Sequence, residues 1–109
     1  MFTYTATVRK VVDGDTMHLT VDLGLDIYTN ISVRLYGIDT PELPTSAGVA
    51  AREYVIEWLR PHQQRILVAT FKDKREKFGR YLAEVFDLGR VDSLNELLVT
   101  NGHAVRYRP

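Results

Sequence analysis

Asp13-Gly14-Asp15 lies between two segments in which apolar and polar residues alternate, residues 4–12 and 16–21. Alternation marks a half-buried strand, and Asp-Gly supports the positive φ that a tight hairpin turn requires. The pattern then repeats. Leu23-Gly24-Leu25-Asp26 is a second turn, and residues 27–36 form a third strand with Ile31, Val33 and Leu35 on one face. Three consecutive strands make a meander. Residues 37–44 read as a loop. From about Ser46 the period changes: Val49, Ala50, Tyr54, Val55, Trp58 and Leu59 recur at helical spacing, and Pro61 stops the helix. Residues 65–71 return to a strand, 72–79 read as a charged loop, and 81–86 as a fifth strand before a turn at 87–90. A second helix runs from about Ser93, an N-cap residue, to Asn101-Gly102, a C-cap glycine.

The order β-β-β-α-β-β-α is the connectivity of an OB-type barrel: an α+β, mainly β fold with five strands and two helices. A length of 109 residues suits one domain over 1–109, with no linker, repeat or low-complexity tract. The chain has no cysteine, which excludes disulfides, zinc–cysteine sites and thiol chemistry. No apolar run approaches the roughly 20 residues that span a bilayer, and residues 1–12 lack a signal-peptide core, so a cytoplasmic location is expected.

Net charge is +0, from 14 basic and 14 acidic side chains, but the distribution is uneven. Residues 1–42 hold three basic and six acidic side chains, and residues 60–80 hold seven basic and two acidic ones. An acidic first third beside a basic middle suits a cation site next to an anion-binding face, although two oppositely biased solvated surfaces would look the same.

Three segments hold polar groups that packing does not explain: Asp13-Gly14-Asp15-Thr16, the stretch from Arg34 to Asp39-Thr40-Pro41-Glu42, and Lys77-Phe78-Gly79-Arg80. Each alone could be a plain turn or a solvated loop. Together they say more. Asp15 begins the second strand and Asp39 follows the third, so an antiparallel meander puts both at one end of the sheet. Two converging carboxylates make an all-oxygen site for Ca²⁺ or Mg²⁺. Glu42 is close enough to act on a water beside the metal, and Arg34 and Arg80 could fork onto phosphate oxygens. Metal, carboxylate base and two arginines are the parts needed to hydrolyse a phosphodiester. His18, His62 and His103 do not cluster and read as surface or structural residues; Tyr54 and Trp58 read as core.

These three motifs, with Leu82-Ala83, Leu94-Asn95-Glu96-Leu97-Leu98-Val99 and Asn101-Gly102-His103-Ala104, resemble the staphylococcal (micrococcal) nuclease family over about residues 5–105. The resemblance implies a five-stranded OB-like barrel and a Ca²⁺-dependent endonuclease acting on DNA or RNA with little sequence specificity. It implies attack of water on phosphorus, leaving a 5′-hydroxyl and a 3′-phosphate. It implies Asp15, Asp39 and the Thr40 carbonyl as metal ligands and Glu42 as general base. Arg34 and Arg80 would hold the phosphate, Arg80 near the leaving oxygen. Lys74, Lys77, Phe78 and Tyr107 are the further candidates for nucleic-acid contact. Phe78 stands where the family has a tyrosine. The stretch after Glu42 is short, and the third helix found in the family beyond this point is missing. The rival reading is a non-catalytic OB module that binds single strands or a protein partner.

Overall fold

The computed structural model describes residues 2–75 and 79–107, and of residues 72–75 only the backbone. Among the described residues seven strands, β1 (Phe2–Asp13), β2 (Thr16–Asp22), β3 (Tyr28–Leu35), β4 (Ile38–Asp39), β5 (Arg65–Arg75), β6 (Tyr81–Phe86) and β7 (Val105–Arg106), accompany two α-helices, α1 (Ser46–Leu59) and α2 (Leu94–Thr100). Five of the strands close a barrel in the order β1-β2-β3-β6-β5, with β5 returning to β1. The closure comes from β3 and β6, which pair in parallel from Val33–Tyr81 to Leu35–Ala83. This is the expected OB-like connectivity.

The alternating residues face inward as expected. Met17, Leu19 and Val21 on β2, Val33 and Leu35 on β3, Ile66 and Val68 on β5 and Ala83 and Val85 on β6 fill one core. On β1 the phase changes: Ala6 and Val8 are buried, then Val11. A shift in the β1–β2 register between Val8 and Lys10 accounts for it, because one extra residue turns later side chains to the other face. A second shift between Val11 and Asp13 lies at the hairpin that carries Asp15.

Thr45 caps α1, accepting a hydrogen bond from the Gly48 N–H at 3.1 Å through its side chain. The buried stripe of this helix is Gly48, Ala51, Val55 and Leu59. Val49 and Ala50 lie outside it, a correction to the face read from the sequence; Tyr54 and Trp58 pack at its edge. The helix lies against β1, and the Arg52 Nε donates to the Val11 carbonyl at 3.1 Å. Pro61 lies in a turn of 3₁₀ helix, Arg60–His62, that ends α1 as expected. Ser93 caps α2 as expected, and Gly102 follows it with φ +78°. Buried Asn95 fastens α2 to the barrel, accepting from the Val85 N–H and donating to the Tyr36 and Ala83 carbonyls.

Two expectations are corrected. Residues 37–44 are not wholly loop: Ile38–Asp39 pairs with Val105–Arg106 in a second, two-stranded sheet. Strands of two residues are too short to show alternation. The charged segment 72–79 is also part strand, because β5 continues to Arg75, which pairs with Tyr81. Its tip lies outside the described residues. Among the described residues no helix is long and apolar enough to cross a membrane.

Candidate nucleic-acid cleavage site

The site gathers where the β1–β2 hairpin, the end of β3, β4 and the start of β6 meet. The register explains the convergence: Thr16 pairs with Asp13 on one side and with Arg34 on the other, and Arg34 pairs with Leu82. Asp15 sits in the turn and accepts the Leu35 N–H on its carbonyl at 2.8 Å.

Gly14 in that turn does not have a positive φ, contrary to the reason given by the Asp-Gly pattern. Its role is close approach. A Cβ there would lie 2.9 Å from the Ala51 Cβ and 2.9 Å from the Thr40 Cγ2, so only glycine lets α1 and the Thr40 segment close over the hairpin. Gly48 does the same from the helix: its Cβ would fall 2.3 Å from the Glu42 carbonyl oxygen. The backbone of residues 41–42 thus rests on the first turn of α1, where the Glu42 carbonyl accepts both the N–H and the hydroxyl of Thr45. A glycine inside a helical pattern is a weak sequence signal for such packing.

Asp15 is buried, and both its carboxylate oxygens are engaged. Oδ1 accepts the Thr16 hydroxyl at 3.1 Å, and Oδ2 accepts the Thr40 N–H at 3.1 Å and lies 3.5 Å from the Arg34 Nη2. That same Nη2 donates to the Asp39 Oδ1 at 3.1 Å, while Nη1 donates to the carbonyls of Leu35 and Ile38 at 3.2 and 3.0 Å. One guanidinium therefore joins both predicted metal-binding carboxylates and closes the turn between β3 and β4. Its own face is covered by the Tyr107 ring, 5.6 Å from Cζ to the centroid. Tyr107 is placed there by the β4–β7 pairing and by its N–H bond to the Gly37 carbonyl. Arg80 precedes β6 and donates from Nη1 to the Thr16 hydroxyl at 3.1 Å.

Asp13 was not singled out as a site residue by the sequence, yet it belongs to the same knot. Its Oδ1 accepts the Asp15 N–H at 3.1 Å. Burial, then the hydrogen bond and charge of Asp15, push its carboxyl up to about 6. Burial acts upward on Asp15 too. The hydrogen bonds from Asp13 and the Thr40 N–H, the Arg34 charge and the Thr16 hydroxyl outweigh it and hold Asp15 below the ordinary carboxylate value.

Of the predicted residues, Asp15, Arg34, Asp39, Thr40 and Arg80 are joined by direct contacts or through Thr16. Glu42 lies three residues beyond Asp39 with an exposed side chain, which among the described residues has no hydrogen-bond or ion-pair partner. Tyr107 meets Arg34 rather than standing free. Lys77, Phe78 and the side chain of Lys74 lie outside the described residues. His18 is half-buried on β2, while His62 and His103 pack on Trp58 and Tyr54 at ring distances of 5.0 and 4.9 Å. The histidines are thus spread over the fold, as expected.

The donor chemistry fits a hard cation. Asp15 and Asp39 present only oxygen donors, and among the described residues no three His, Asp or Glu side chains come together.

Residues 32–109 match the profile of the staphylococcal nuclease homologue family, and this span includes Arg34, Asp39, Thr40, Glu42 and Arg80. The chain is also similar to Uncharacterized protein MJ1439 of Methanocaldococcus jannaschii, 28% identical over 126 residues. That match covers 95% of this chain but 56% of the archaeal protein, so the chain spans about half the length of its relative. With its barrel, its knot of carboxylates and arginines and this match over most of its length, the chain belongs to the staphylococcal nuclease homologue family.

Proposed function

We propose that this chain, acting as one domain, is a Ca²⁺-dependent endonuclease that hydrolyses phosphodiester bonds of DNA or RNA with little sequence specificity. The observation that carries the reading is the joint contact of Arg34 with Asp15 and Asp39, with Arg80 linked to the same knot through Thr16. A buried carboxylate, Asp15, and an exposed one, Asp39, held together beside two arginines are costly for a surface that binds nothing, and they are what cleaving an anionic diester needs.

Asp15, Asp39 and the Thr40 carbonyl would hold the cation, with Mg²⁺ a possible substitute for Ca²⁺. When bound, the cation supplies positive charge against the phosphate oxygens and coordinated water close to phosphorus. Arg34 would exchange its ion pairs with the carboxylates for the non-bridging phosphate oxygens, which its planar fork matches. Arg80 would sit on the phosphate from the β6 side, near the leaving oxygen. Glu42, exposed and without a side-chain partner among the described residues, takes the proton from the attacking water. The new P–O bond forms as the bond to the 5′ oxygen breaks; that oxygen leaves as a 5′-hydroxyl after gaining a proton, and a 3′-phosphate remains. Tyr107, Lys74, Lys77 and Phe78 would contact the strand beyond the scissile phosphate.

A cation that binds the folded chain must stabilise it. Melting of the protein in millimolar Ca²⁺ and in EDTA tests the reading: a higher Tm with Ca²⁺ is expected. Identical Tm values, with and without an added oligonucleotide, would count against it.

A further inference from the structure

The Thr16 hydroxyl stands between the two halves of the site. It is the first residue of β2 and is 4% exposed. On one side it lies 3.1 Å from the Asp15 Oδ1, and on the other 3.1 Å from the Arg80 Nη1. The direction of both bonds follows from elementary chemistry. A guanidinium has no acceptor, so Arg80 must donate and the hydroxyl must accept. The single hydroxyl proton is then left for the carboxylates of the hairpin, Asp15 at 3.1 Å and its neighbour Asp13. A positive donor on the oxygen polarises the hydroxyl and strengthens the bond it gives.

We propose that Thr16 is a positioning residue that couples the cation ligand Asp15 to the phosphate-binding Arg80. The inference rests on the nuclease reading above. The Thr40 N–H and Arg34 engage Oδ2 and the Thr16 hydroxyl engages Oδ1, so Thr16 helps, beside Asp13, to fix the rotation of the carboxylate. A ligand carboxylate held on both oxygens presents fixed lone pairs to a cation. The same hydroxyl meets Arg80 just before β6, so one atom touches both the ligand and the phosphate clamp. Threonine suits the task. Its β-branch stiffens χ1 and favours the strand, so the hydroxyl points one way.

The test compares the full chain with Thr16→Val and Thr16→Ser, reading Ca²⁺ affinity by calorimetry and kcat and KM on single-stranded DNA. Valine keeps the branched shape and loses the hydroxyl; serine keeps the hydroxyl and loses the methyl. Thr16→Val is expected to weaken Ca²⁺ binding about tenfold, the usual cost of losing a partner behind a metal ligand. It should also lower kcat more than it raises KM, and Thr16→Ser should restore both. A purely structural threonine would lower Tm in Thr16→Val while leaving Ca²⁺ affinity and kcat of the folded protein at wild-type values, and that result overturns the proposal. Should Thr16→Val fail to fold, Thr16→Ser decides alone: a tenfold loss of Ca²⁺ affinity despite the retained hydroxyl overturns it, and wild-type affinity supports it. A wild-type chain that neither binds Ca²⁺ nor cleaves removes the nuclease reading itself. Wild-type binding with an unaffected Thr16→Val removes only the role of Thr16.

Discussion

Arg34 donates to Asp39 across the turn that joins β3 to β4, at 3.1 Å, and the same nitrogen lies 3.5 Å from Asp15. The guanidinium thus offsets a pair of carboxylates that would otherwise repel. Arg34→Ala removes this and leaves the Leu35 and Ile38 carbonyls without their side-chain donor. A loss of about 1–3 kcal/mol in stability is expected, read by urea unfolding in EDTA. Added Ca²⁺ should then raise the Tm of Arg34→Ala by more than that of wild type, because the cation takes over the neutralising role. Equal Ca²⁺ effects on the two proteins would show that Arg34 does not balance the acidic pair.

Glu42 contributes its backbone, not its carboxylate, to the fold. Glu42→Gln should therefore leave Tm close to wild type while lowering kcat by about 10²–10⁴-fold, the usual worth of a general base. Wild-type turnover in this variant would remove Glu42 from the chemistry.

Gly48→Ala sets propensity against packing. Alanine in place of glycine favours a helix by about 0.8–1 kcal/mol. Here the added methyl would meet the Glu42 carbonyl at 2.3 Å, and the clash is with backbone. The variant should be less stable than wild type, and its activity should fall because the Glu42 segment is pushed away from the hairpin. A gain in Tm with full activity would show that residues 41–42 do not rest on α1.

Asp87 gives the stability a pH dependence away from the site. Its Oδ1 accepts the N–H groups of Val91 and Asp92, each at 2.8 Å. The Asp92 N–H foremost, with that of Val91 adding to it, holds the carboxyl below its usual 3.8. A depressed folded value means the contribution is complete above about pH 4 and is lost as pH falls through the lower folded value. Asp87→Asn should flatten the drop in stability between about pH 5 and pH 2, measured by urea midpoints. An unchanged drop would place the acid sensitivity elsewhere.

The barrel was legible because its cues are local and repeated: alternation in β1, β2 and β3, a change to helical spacing at Ser46, and caps at Ser93 and Gly102. The gathering of Asp15 and Asp39 was legible too, since antiparallel order alone puts the start of β2 beside the end of β3. What stayed hidden depends on contacts far apart in sequence. The β4–β7 sheet joins Ile38 to Arg106 through two-residue strands that leave no pattern. Thr16 read only as the last letter of a turn motif, and its link to Arg80 spans 64 positions. Gly14 looked like a turn glycine, whereas its need for a bare Cα comes from Ala51 and Thr40. Asn95 falls within the Leu94–Val99 stretch of the family resemblance, but nothing local marks it as the buried clasp between α2 and β6.

The most direct measurement is cleavage of single-stranded and supercoiled DNA by the purified chain in Ca²⁺, in Mg²⁺ and in EDTA, beside Glu42→Gln and Arg80→Ala. The account predicts Ca²⁺-dependent degradation to fragments with 5′-hydroxyl and 3′-phosphate ends, abolished by EDTA and strongly reduced in both variants. A folded wild-type protein that cleaves neither substrate in any metal would contradict it and leave a barrel that binds without cutting.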